Sequence, residues 1–73
     1  MEPDVLRARV EAAYMGNCRV DDARGAVSWF AEQCNVETNT AHRWMSGDRN
    51  PSGPVLAVLR LLEERAASTG WGA

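Results

Sequence analysis

The stretch VSWFAEQCNVETNTAHRWMSG, residues 27–47, has the pattern of two short helices joined by a tight turn. The apolar residues of its first half recur at helical spacing on one face: Val27, Phe30, Ala31 and Cys34. Asn35 follows, and asparagine tolerates the left-handed backbone conformation that ends one helix sharply before the next begins. The second helix is then predicted over residues 38–45.

Small and apolar residues in this stretch predict how the two helices pack. Ala31 is the small residue that lets the helices approach, and Val36 fills the space between them. Ala41 and Trp44, three positions apart, place the second helix against the core, and Gly47 ends it. Two short helices packed in this way form a helix-turn-helix, which we expect at about residues 26–47.

A first helix is predicted before this stretch, at residues 3–17. Its inward stripe is predicted to consist of Leu6, Val10 and Tyr14. Gly16 and Asn17 have the character of a helix stop. A loop is expected next. The first helix of the helix-turn-helix should then begin between residues 22 and 26, because Gly25 inside a helix would cost about 1 kcal/mol.

A last helix is predicted at about residues 53–67, with Pro54 in the first turn, where its missing N–H costs nothing. One apolar stripe consists of Val55, Leu59, Leu62 and Ala66, and it is widened by Leu56, Val58 and Leu61. An apolar surface this wide indicates either that the helix lies at the centre of the fold or that it also contacts a partner. Residues 68–73 are predicted to be a flexible, Gly-rich tail, in which Trp71 is the large apolar residue.

The length and net charge of the chain limit the class of protein to which it can belong. At 73 residues, the chain is expected to be a single compact all-α domain of four to five helices, residues 1–73. Its net charge is −2, from 10 acidic and 8 basic residues, and every basic residue is Arg. This charge excludes binding of polyanions through bulk charge, so any contact with nucleic acid must come from local placement of Arg43 and Arg49.

The chain also lacks the features of exported and membrane proteins. No apolar stretch approaches the roughly 18 to 20 residues of a membrane span. The N-terminal sequence MEPDVLRARV starts acidic and lacks the basic-then-apolar order of a signal peptide, so a cytoplasmic location is expected. In that reducing compartment, a disulfide between Cys18 and Cys34 is not expected.

Catalytic and metal chemistry find little support in the residue types. His42 is the one histidine available as a base for a serine or cysteine nucleophile, and neither a glycine-rich phosphate loop nor a carboxylate pair is present. The spacing of Cys18, Cys34 and His42 fits no zinc pattern. We therefore predict no enzyme, no metal and no cofactor.

The same segment resembles the helix-turn-helix of the phage Cro and repressor-like (Xre) family. That family's segment typically has a small Ala, a turn Gly followed by Val, and then T-V-x-R-W-x-x-G; this chain has Ala31, Asn35-Val36 and TAHRWMSG at 40–47. The downstream NPSGPVLAVLRLLEE is similar to the family's final helix, and the resemblance covers residues 26–64. The chain departs from the pattern at Asn35 (usually Gly), Cys34 (commonly Leu) and Ala41 (a larger aliphatic residue).

The resemblance implies a lambda-repressor-like fold and a double-stranded DNA binder whose second helix enters the major groove. Residues on the outer face of that helix would then contact bases: Thr38, Asn39, His42 and Arg43. The DNA backbone would be held by Arg24, Val27, Ser28, Ser46, Arg49 and Asn50. The implied protein is a regulator, in the first instance a repressor, that binds an inverted-repeat operator as a homodimer. The candidate dimer contacts are Leu56, Leu61 and Trp71.

A second hypothesis keeps the fold and changes the partner. Glu37 and Asp48 would both face phosphates in the DNA-binding arrangement, and the net charge is acidic. These features favour a protein-binding helical module that acts on a host enzyme, a toxin or a nuclease.

Overall fold

The computed structural model describes residues 2–68, which form four α-helices. The helices are α1 (Pro3–Cys18), α2 (Ala26–Cys34), α3 (Thr38–Ser46) and α4 (Gly53–Ser68). Within this part of the chain there is no strand, and the predicted compact all-α fold is confirmed. Of the predicted tail, Ser68 is the last residue of α4, whereas 69–73, including Trp71, lie outside the described residues.

A single core is shared by all four helices. Its buried members are Leu6, Val10, Ala13, Ala26, Phe30, Ala31, Ala41, Trp44, Met45, Val55, Leu59 and Leu62. Helix α1 packs on each of the other three helices, and α4 packs on α1 and α2. Among residues 2–68, α3 and α4 do not pack directly on one another.

The inward stripe of α1 differs from the predicted one at a single position. Leu6 and Val10 are buried as expected, but the third buried residue is Ala13 rather than Tyr14. Tyr14 is half-buried, and its ring centroid lies 5.5 Å from that of Trp29 in a tilted arrangement. Tyr14 therefore packs at the edge of the α1–α2 contact.

Gly16 and Asn17 do not end α1, which continues to Cys18 before Arg19 adopts the left-handed conformation. A Cβ atom on Gly16 would lie 2.7 Å from Cβ of Ala66, so the absent side chain is what lets α1 and α4 approach here. The amide nitrogen Nδ2 of Asn17 donates to the carbonyl oxygens of Ala13 (2.8 Å) and Leu62 (2.9 Å). Both residues thus serve the α1–α4 contact.

A second polar link between α1 and α4 is the ion pair of Arg9 and Glu63. Arg9 donates from Nε to Oε2 of Glu63 at 2.8 Å, and its terminal nitrogen donates to the other carboxylate oxygen. These hydrogen bonds lower the pKa of Glu63 and raise that of Arg9. Because both side chains are about one-third exposed, the pair contributes at most about 1 kcal/mol and mainly fixes the register of the two helices.

The loop between α1 and α2 ends at Gly25, and α2 begins at Ala26. Its start at Ala26 lies within the predicted window, and no side chain caps it with a hydrogen bond. The residue before α2 is Gly25, with φ at +87°. Asp22 instead accepts a hydrogen bond from the backbone N–H of Arg24 at 3.0 Å, which stabilises the loop itself.

Replacing Gly16 with Ala is expected to destabilise the fold by about 1–3 kcal/mol, although Ala is the better helix former. The added Cβ would push α4 away at Ala66. Combining Gly16→Ala with Ala66→Gly should recover most of the loss. Urea unfolding of the parent, both single variants and the double variant measures this coupling, and purely additive effects would contradict the close approach.

Candidate nucleic-acid interface

The turn between α2 and α3 consists of residues 35–37 and has defined hydrogen bonds. Asn35 has φ 58° and ψ 45°, the left-handed conformation predicted for it. Its N–H donates to the carbonyl of Glu32 at 3.1 Å, and the N–H of Val36 donates to that of Ala31 at 3.0 Å. This is the Schellman pattern, which satisfies the last carbonyls of α2 and redirects the chain.

Helix α3 is held against α2 by a mixture of small and aromatic residues. Ala31 and Ala41 are buried, as expected for small residues at a helix crossing. Trp44 is also buried, and its ring meets that of Phe30 edge to face with centroids 6.1 Å apart. Val36 is half-buried against the same core. Trp44 therefore acts in packing, which leaves the opposite side of α3 to solvent.

The exposed side of α3 carries the residues that were predicted to contact bases: Thr38, Asn39, His42 and Arg43. All four are exposed, and their spacing on a helix places them on one broad face. Thr38 and Asn39 lie in the first turn, at the positive end of the helix dipole. The structure thus brings these side chains together, and whether they bind DNA stays a prediction.

Residues predicted to hold the DNA backbone lie before α3, at its last residue and in the loop after it. Five of them are exposed: Arg24, Ser28, Ser46, Arg49 and Asn50. Val27 is half-buried and packs against the core, so only its backbone could approach a phosphate. The hydroxyl of Ser46 donates to the carbonyl of Arg43 at 3.2 Å, which makes it a poorer phosphate donor than Arg49.

The C-terminal end of α3 is fixed by Gly47 and by the loop that follows it. Gly47 has φ +87°, and its N–H donates to the carbonyl of Trp44 at 3.4 Å. The N–H of Arg49 donates to the carbonyl of Arg43 at 3.2 Å, so the loop folds back onto the helix. A Cβ on Gly47 would lie 3.0 Å from Cγ of Pro3, so this turn packs closely on the start of α1.

Acidic residues share this surface and balance its charge. Glu37 precedes α3 and Asp48 precedes Arg49, and both acidic side chains are exposed. Residues 37–50 contain two acidic residues, Glu37 and Asp48, and two arginines, Arg43 and Arg49, so their net charge is zero with His42 neutral. Any affinity for a polyanion must therefore come from placement of individual groups.

Two exposed residues near the turn were not singled out from the sequence. Glu32 and Gln33 lie in the last turn of α2, just before the turn that leads into α3. Polar residues off an apolar stripe have the pattern of any solvated helix face. No feature of the spacing distinguishes them.

The predicted dimer contacts have unequal exposure. Leu61 is exposed, whereas Leu56 is half-buried and packs against the core. Trp71 lies outside the described residues. Of the three predicted residues, Leu61 is thus the one that the structure presents to solvent.

The described residues, 2–68, also bear on metal and thiol chemistry. No group of three or more His, Cys, Asp or Glu side chains there is placed to hold a metal ion. Cys18 and Cys34 are not bonded to each other, and partial burial raises the pKa of the Cys34 thiol. No described helix has both the length and the apolar character needed to span a bilayer.

Comparison of the chain with protein-family models, with curated proteins and with solved structures finds no match. The likeness to the Cro and repressor-like family therefore rests on the motif residues within 26–64.

Replacing Gly47 with Ala is expected to destabilise the fold by about 1–2 kcal/mol, because Ala is strained at positive φ and its Cβ would crowd Pro3. Gly53 provides the matched control, since a Cβ there would meet no atom within 4 Å. Thermal unfolding of Gly47→Ala and Gly53→Ala should show a loss only for the first. Equal effects would disprove the assigned role of Gly47.

Proposed function

We propose that this chain is a sequence-specific DNA-binding regulator, in the first instance a repressor, of the Cro and repressor-like kind. It inserts α3 into the major groove of double-stranded DNA in the cytoplasm of a bacterial or phage-infected cell. The observation that carries the proposal is the polar face of α3, formed by Thr38, Asn39, His42 and Arg43 opposite the packed residue Trp44.

The chemistry of that face suits base edges. The Asn39 amide can both accept from and donate to adenine, and the Arg43 guanidinium can donate twice to guanine O6 and N7. Thr38 can hydrogen-bond to a base or contact a thymine methyl group, and His42 is long enough to reach a base or a phosphate. With four such side chains on one short helix, α3 would recognise only a few base pairs.

Contacts to the phosphates would set the position of α3 in the groove. Arg49, in the loop anchored to the end of α3, and Arg24, before α2, carry the positive charge. The N-terminal end of α2 adds backbone N–H groups and its positive dipole near Ser28. These contacts fix orientation without reading sequence.

Two copies are needed for a useful regulator, because one helix reads too few base pairs to select an operator in a genome. A two-fold symmetric pair would bind an inverted repeat with half-sites centred about 34 Å apart. The palindrome is therefore part of the proposal.

Selection of bound duplexes from a random pool is the experiment that tests this function. We expect an enriched inverted repeat whose half-site spacing matches one helical turn. With roughly six phosphate contacts, the affinity for the selected duplex should fall with a log-log salt slope near −5. Failure to enrich any sequence, at low salt as well as at high salt, would contradict DNA binding.

Substitution of two arginines separates base contact from backbone contact. Arg43→Ala should cost about 1–3 kcal/mol of binding free energy and relax specificity at one position of the half-site. Arg49→Ala should weaken binding to all duplexes about equally and make the salt slope shallower. Arg7→Ala, which removes an exposed arginine of α1, is the control and should bind like the parent. If all three bind alike, the assignment of contacts is wrong.

The alternative is a protein-binding module that uses the same face of α3. Glu37 and Asp48 favour it, because both are exposed beside the residues that would meet phosphates. In that case the protein should show little affinity for any duplex at any salt concentration, and Glu37→Gln should not improve DNA binding. A DNA-binding protein should instead bind more tightly after this substitution.

A further inference from the structure

Helices α1 and α2 share a feature at their C-terminal ends. In each, a residue in the left-handed backbone conformation is followed by a valine. The N–H of Val20 donates to the carbonyl of Met15 at 3.3 Å, and the N–H of Val36 donates to the carbonyl of Ala31 at 3.0 Å. Each bond reaches back five residues, which is the Schellman pattern, and an apolar residue at this position often packs on the last turns of its helix.

The sequence after α4 carries the same signals. Ser68 is the last described residue of α4, and Thr69, Gly70 and Trp71 follow it. Glycine takes the left-handed conformation readily, whereas a β-branched threonine is a rare outlier there. Gly70 therefore suits that position, and Trp71 corresponds to the valines after α1 and α2. The residue five positions before Trp71 is Ala66.

An open groove between α1 and α4 reaches the last turns of α4. The described residues that line it are Ala12, Ala13, Glu63, Ala66 and Ala67. The four alanines make an apolar surface, and their short side chains leave space between the two helices. The groove has a volume of about 310 Å³, at the small end of the roughly 300–1,000 Å³ that is usual for ligand sites. It therefore suits a single ring rather than a large ligand.

We propose that this groove holds the indole ring of Trp71 from the same chain. Gly70, in the left-handed conformation, turns the chain back over the end of α4, and the N–H of Trp71 donates to the carbonyl of Ala66. The ring then lies on Ala66 and Ala67 and reaches Ala12 across the groove. This inference goes beyond the proposed function and does not rest on it.

The short connection between the groove and Trp71 favours this occupant over one from another molecule. Ala67 lines the groove, and Trp71 follows it by four residues, which span at most about 14 Å when fully extended. A tether this short holds the ring near the groove at a high effective concentration. An aromatic group from another molecule would have to displace it.

The polar residue of the groove suits an indole as well. The carboxylate of Glu63 is half-buried and accepts hydrogen bonds from Arg9 on both oxygens, and a carboxylate has about four acceptor positions. A buried tryptophan usually donates its Nε1–H to an acceptor. Glu63 offers one at the edge of the apolar surface.

The proposal gives Ala66 two roles at the end of the α1–α4 contact. Its Cβ occupies the space that the absent side chain of Gly16 leaves, and its methyl group and carbonyl also meet Trp71. Trp71 thereby has its partner within the chain. From the sequence it was predicted to lie in a flexible tail and to contribute to a dimer.

NMR spectroscopy of the full chain tests the proposal. Nuclear Overhauser contacts are expected between the indole protons of Trp71 and the methyl groups of Ala12 and Ala66. Both methyl signals should move downfield in Trp71→Ala, because the shielding by the ring is lost. Leu61→Ala removes a side chain that is 63% exposed and does not line the groove, so it should leave both signals in place. Equal methyl positions in the parent and in Trp71→Ala would overturn the inference.

Two substitutions of Gly70 test the turn. Gly70→Asn should keep the contacts of Trp71, because asparagine tolerates the left-handed conformation, as Asn35 does in this chain. Gly70→Val should lose most of them, because a β-branched residue disfavours positive φ. If both variants keep the contacts, or if both lose them, the turn at Gly70 is wrong.

A mixture of isotope-labelled and unlabelled chains identifies the occupant of the groove. Contacts within one chain should persist on dilution and should be absent between a labelled and an unlabelled copy. Contacts that appear only between the two copies would mean that a second chain fills the groove, and they would overturn the inference.

Discussion

The contact between Phe30 and Trp44 is the interaction on which the rest of the structure depends. It joins α2 to α3 at the centre of the core, where edge-to-face rings add about 0.5–1.5 kcal/mol to the burial of their surface. The two helices can come close enough for this contact because Ala31 and Ala41 occupy the crossing. The orientation of α3, and so the face it presents, follows from this one contact and the turn before it.

Helix α1 completes the support from the other side. Its N-terminal end lies against the turn at Gly47. Its middle is joined to α4 by the Arg9–Glu63 pair, and its C-terminal part by Gly16 and Asn17. Each end of α3 is therefore fixed by backbone geometry, at Asn35 and at Gly47. A short helix has little stability of its own, so a fixed direction for α3 requires these tertiary contacts.

Predictions from the sequence were correct where the backbone conformation or helical spacing of a residue decides its role. Asn35 and Gly47 were assigned correctly, because few residue types accept positive φ, and the buried role of Trp44 followed from its spacing. Gly16 and Asn17 were misread because a glycine before an asparagine has the pattern of a helix stop. The role of Gly16 is decided by Ala66, fifty positions later, and that of Asn17 by the carbonyl of Leu62, forty-five positions later. No local pattern contains that information. In the same way, Leu61 is exposed and Leu56 is half-buried because of how α4 packs on the core, which its own sequence does not show.

The balance of acidic and basic residues around α3 bears on how it would bind DNA. A strongly basic surface would hold any duplex by counterion release, with specificity added on top. Here the two arginines near α3 are balanced by Glu37 and Asp48. In the proposed DNA complex, nonspecific attraction would therefore be small, and the binding free energy would have to come from well-placed hydrogen bonds. In that complex, such a surface would discriminate between base pairs better than it adheres to DNA, because a mismatched base pair would remove a larger share of the total binding free energy. It would also gain more from the proposed pairing of two copies, since each weak half-site would then contribute to a single binding event.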